Sequence, residues 1–96
     1  MIEMYESSGN IFKDLACEDA ENLRVRSSLM IQLKQYVKQK YLTQKSAAEL
    51  FGITQPRMSD LMRGKIDLFS IDTLINMLAR AGLHISVEVH SIPIAS

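Results

Sequence analysis

Residues 44–61 read QKSAAELFGITQPRMSDL, and the spacings inside this stretch decide the fold. Ala48 is followed four residues later by Gly52, and Met58 comes six residues after that. Each position has a steric reason. A small residue at Ala48 lets two helices cross closely, glycine at 52 permits the positive φ of a tight turn, and Met58 packs the second helix back onto the first. Ala47, Phe51, Ile53 and Leu61 complete an apolar interior. Thr43 is placed to cap the first helix and Thr54 the second, while Pro56 falls in a first turn, where its missing N–H does no harm. The pattern is that of a helix-turn-helix. Gln55, Arg57, Ser59 and Asp60 are then left facing outward at the start of the second helix, and all four side chains can bond base edges or phosphates. Arg63 and Lys65 flank Gly64 where that helix ends, a place where a cation complements the helix dipole as well as a phosphate.

Working outward from this core, Val25, Leu29, Leu33, Tyr36 and Val37 recur at helical spacing and predict a long helix from about Glu21 to Lys40. On the other side Ser70 caps a fourth helix, with Asp72 near its positive end and an apolar stripe at Ile71, Leu74, Ile75 and Leu78. Arg80 stands near its negative end and Gly82 is its stop. The period then changes. Leu83, Ile85, Val87 and Val89 alternate with His84, Ser86, Glu88 and His90, which predicts a half-buried β-strand. A lone strand leaves backbone groups unpaired, so a partner is expected from Met1–Tyr5, from a second copy of the chain or from the sheet edge of another protein. The expected fold is therefore mainly α, a helix-turn-helix bundle with a C-terminal β-strand. It divides into an acidic arm at 1–20, a DNA-binding domain at 21–82 and a strand with its tail at 83–96.

The 96 residues carry no formal net charge, but the charges are segregated. Residues 1–22 hold six acidic side chains against Lys13 alone, and residues 23–65 hold nine lysines and arginines against Glu49 and Asp60. Positive charge gathered on one module is the footprint of a nucleic-acid binder, because phosphate neutralisation supplies most of such an affinity. The acidic arm, with Ile11, Phe12 and Leu15, suits a basic protein partner instead.

Other functions find little support. Cys17 is the only cysteine, so no intramolecular disulfide is possible, and the opening MIEMYESSGN lacks the basic and apolar regions of a secretion signal. A cytoplasmic protein is expected. No apolar run approaches the roughly 20 residues that cross a bilayer, so no membrane association is expected. His84 and His90 would stand about 20 Å apart on a strand, too far to share a metal ion. No catalytic constellation is visible. An enzyme, a cofactor and a metal are all left out of the expectation.

LTQKSAAELFGITQPRMSDLMRGK resembles the lambda-repressor-like (Cro/C1-type, XRE) helix-turn-helix family over about residues 22–82. The resemblance implies four- or five-helix packing, with the helix from about Gln55 to Met62 in the major groove and Gln55 as the principal base-contacting position. It also implies a phosphate contact at Gln44. Asp60 departs from the neutral or basic residue usual there. The acidic lead-in YESSGNIFKDLACEDAE and the closing LHISVEVH are similar to those of HigA-like antitoxins, which bind a toxin and repress their own operon. The expectation is a homodimeric repressor of operator DNA, acting as an antitoxin. The alternative is a protein-interaction adaptor that keeps the scaffold without binding DNA.

Overall fold

In a computed structural model, which describes residues 11–91 and, within the first helix, side chains from Asp19 onward, four α-helices are present. They are α1 (Ile11–Gln39), α2 (Gln44–Phe51), α3 (Gln55–Met62) and α4 (Ile71–Arg80), with a 3-10 turn at Ile66–Leu68 between the last two. The helix expected from about Glu21 thus begins ten residues earlier. At 29 residues α1 is about 43 Å long, whereas the described molecule measures 51 × 24 × 18 Å. Among its described side chains, the buried ones, Met30, Leu33 and Val37, all lie in its C-terminal third, and Asp19 to Arg24 are exposed.

Packing follows the apolar stripes. Ala47, Ala48 and Phe51 of α2, Met58 and Leu61 of α3, and Leu74, Met77 and Leu78 of α4 close over α1, with Phe69 filling the centre from the connection before α4. Met30 and Met77 take buried places that the periodicity of α1 and α4 had assigned to neighbouring residues. An unbranched thioether fills such irregular gaps well. Ile71 and Ile75 are only half-buried.

Caps delimit the helices as their chemistry dictates. The hydroxyl oxygens of Thr43, Thr54 and Ser70 accept from the backbone N–H of Ser46, Arg57 and Thr73, and Ser46 returns the bond to Thr43 in a capping box. Gly52 ends α2 at φ +75°, donating to the carbonyl of Ala48, and Ile53 donates to the same oxygen. A Cβ at Gly52 would also come within 2.5 Å of the Arg80 side chain, so α4 helps to hold the turn. The end of α1 has the same geometry without a glycine. Leu42 N–H reaches the Val37 carbonyl and Tyr41 N–H that of Lys38, which places Tyr41 at φ +54°.

The expected C-terminal β-strand is not found. After Gly82 the chain runs through residues 83–91 without regular structure. Among the described residues there is no second strand to complete a ladder, and alternation alone does not make one. Met1–Tyr5, the candidate partner within the chain, lies outside the described residues. Only Leu83, whose N–H donates to Leu78, and the half-buried Ile85 tie the segment to the bundle. Val87 and Val89 are 77% and 90% exposed.

Candidate nucleic-acid interface

Burial of Met58 and Leu61 fixes the rotation of α3, and everything on its other face follows from that. Gln55, Pro56 and Arg57 are exposed in the first turn, Ser59 and Asp60 are half-buried, and Arg63 and Lys65 are exposed where the helix ends. Gln44 and Lys45 are exposed in the first turn of α2, which packs against α3. The predicted residues thus belong to two adjoining short helices. They differ in what holds them.

Gln55 has no hydrogen-bonding partner among the described residues, and its amide offers both a donor and an acceptor to a base edge. Thr54 spends its hydroxyl oxygen on the Arg57 N–H at 3.3 Å, so its main work is to start the helix. Arg57 is anchored to its own domain. Its guanidinium lies 4.7 Å from the Phe69 ring centroid and donates through Nη2 to the Leu68 carbonyl at 2.9 Å. The exposed remainder of its fork is held in one direction, a device that orients a cation beside the helix. Asp60 accepts from Arg63 Nη2 at 2.9 Å and stands 4.0 Å from Lys65 Nζ.

The long-range contacts of two arginines escaped the sequence reading. Arg26 of α1 donates through Nη1 to the Ile66 carbonyl at 3.1 Å and through Nε to Asn22 at 2.7 Å. With Arg57 it secures the 3-10 connection that sets α3 against α4. Arg80 lies over the turn at Gly52. Forty residues separate Arg26 from Ile66, and no local pattern announces such a bond. Among the described residues no group of His, Cys, Asp and Glu could hold a metal ion, and no helix is long and apolar enough to cross a membrane.

The sequence matches the model of a family described as a helix-turn-helix domain over residues 11–90, nearly the whole described chain. The chain belongs to this helix-turn-helix family. Domains of this kind bind DNA. A solved structure provisionally described as an XRE family transcriptional regulator is similar at 28% identity and a TM-score of 0.72, covering 78% of this chain and 84% of the other. No curated protein matches.

Proposed function

We propose that this helix-turn-helix protein is a sequence-specific transcriptional regulator that binds operator DNA as a homodimer and represses its own operon as the antitoxin of a toxin-antitoxin pair. It acts in the cytoplasm by binding rather than by catalysis. The observation that carries the DNA-binding part is the free, outward Gln55 on a capped α3 whose opposite face is locked into the core. The similarity to an XRE family regulator supports a role in transcription. Gln55 reads bases, Gln44 and Thr54 meet the backbone, and Arg57, Ser59, Asp60, Arg63 and Lys65 form the surrounding contact surface.

Support for the dimer comes from the C-terminal segment. The backbone of residues 84–91 exchanges no hydrogen bond with other described residues, and alternate apolar side chains lie exposed beside a cleft of about 410 Å³ between α1, α4 and this segment. Antiparallel pairing with a second copy satisfies those groups. The acidic sequence at the start of α1 supports the antitoxin part, since it suits a basic protein that itself binds RNA.

Titration of the protein with the DNA upstream of its own gene, at fixed salt, tests the reading. Retention of that duplex over random DNA is expected, and equal affinity for the two would exclude sequence-specific regulation. Deletion of residues 1–16 is expected to abolish neutralisation of the adjacent gene's product while sparing DNA binding. Full neutralisation by the truncated protein removes the antitoxin assignment from this segment.

A further inference from the structure

The exit of α3 gathers its charges in a particular way. Gly64, at φ +78°, turns the chain so that the Lys65 N–H donates to the Asp60 carbonyl at 3.0 Å. This turn returns the Lys65 side chain to the Asp60 carboxylate, while Arg63 reaches the same oxygen, Oδ1, from three residues along the chain. The Asp60 side chain is only 20% exposed, against 60% for Arg63 and 50% for Lys65. A carboxylate in the last turn of a helix faces the negative end of the dipole, so the two cations offset a placement that is otherwise unfavourable. Arg57 is tied to Leu68 and Phe69. Each cation on α3 and at its exit therefore has a partner within the domain, the two pairs at Asp60 lying open to solvent.

Sequence-independent binding is supplied almost wholly by phosphate neutralisation, and each cation kept from a phosphate lowers its salt slope by about 0.9. Base reading is different, because it rests on Gln55 at the opposite end of the helix, which Asp60 does not touch. We propose that Asp60 is a specificity-determining residue that holds Arg63 and Lys65 off the phosphates of DNA, so that a carboxylate within α3 weakens binding wherever base contacts are lacking. This inference rests on the DNA-binding reading.

Full-length protein is titrated with a random-sequence duplex by fluorescence anisotropy between about 50 and 200 mM salt, the range over which counterion release is read. Asp60→Asn keeps the shape of the side chain and is expected to tighten this binding about fivefold at the low-salt end, the order expected for releasing exposed ion pairs. The slope of log K against log salt should steepen by about one to two for each protomer. Adding Arg63→Gln and Lys65→Gln to Asp60→Asn is expected to erase the gain. Asp72→Asn removes the same charge from α4, where no ion pair to either cation exists, and should leave the slope unchanged. An unchanged slope in Asp60→Asn overturns the proposal, as does an equal gain in Asp72→Asn, which would make the effect one of net charge. Failure of the unaltered protein and of every variant to bind the duplex overturns the DNA-binding reading and this inference with it.

Discussion

At the residue scale, Gln55 and Arg57 are two positions apart and have different tasks. Gln55→Ala should leave the melting temperature unchanged, because the side chain is exposed and bonded to nothing described, and should weaken operator binding by roughly 1–3 kcal/mol. Arg57→Ala loses the stack on Phe69 and the bond to Leu68, so it should also destabilise the fold, by about 1–2 kcal/mol. Thermal melts beside operator titrations separate the two, and an unchanged melt for Arg57→Ala would show that its anchor contributes nothing. The end of α1 makes the opposite prediction. Tyr41 is 92% exposed and holds a left-handed conformation that costs a side chain about 1–2 kcal/mol. Tyr41→Gly should therefore stabilise the protein by about 0.5–1 kcal/mol after glycine's greater unfolded-state entropy is subtracted, read as a rise in Tm. The caps at Thr43, Thr54 and Ser70 were legible in sequence because a cap is a bond to a residue three positions away. The anchoring of Arg57 was not, since Phe69 and Leu68 reach it only through a 3-10 turn that has no sequence signature.

At the scale of the element, α2, α3 and α4 were legible because each has a cap, a stripe and a stop within about ten residues. α1 was legible only in part. Its C-terminal half carries the packed stripe, whereas the sequence reading took residues 1–20 as an arm and so began the helix ten residues too late. The last element shows the opposite limit, for the alternation from Leu83 to His90 is real while no strand forms there among the described residues. A strand is a property of two segments, and one chain's alternation specifies only half of it. If the second half comes from another copy, proline in the middle of the segment removes a ladder donor and distorts the pairing. Val87→Pro touches little of the described fold, since Val87 is 77% exposed, so a folded monomer with much weaker operator binding is expected. Sedimentation velocity reads the outcome, and a variant that stays dimeric places the dimer interface elsewhere.

At the scale of the whole molecule, the segregation of charge seen in the sequence falls on different elements, with acidic residues in the early turns of α1 and basic ones from its second half through the exit of α3. A net charge of zero gives no long-range attraction to DNA, so steering must come from the local field of the basic face. In the dimer proposed above, two copies would have to present their α3 helices about 34 Å apart to reach successive major grooves. Each copy then brings exposed Lys38, Lys45, Arg63 and Lys65 with the half-buried Lys34, against which Asp60 withholds part of the charge. A dimer making about 6–10 phosphate contacts would lose three to five orders of magnitude in affinity between about 50 and 200 mM salt. The Asp60 cluster places this protein toward the lower end of that range for random DNA, while the operator complex retains the base contacts that salt does not screen. Measured side by side over that range, operator affinity should therefore fall at least as steeply as random-DNA affinity on a logarithmic scale, since base contacts raise affinity without changing the slope and any phosphate contact made only on the operator steepens it. Parallel lines for the two duplexes would mean that α3 contributes the same phosphate contacts in both complexes, and a flat response in each would favour a scaffold that binds proteins instead of DNA.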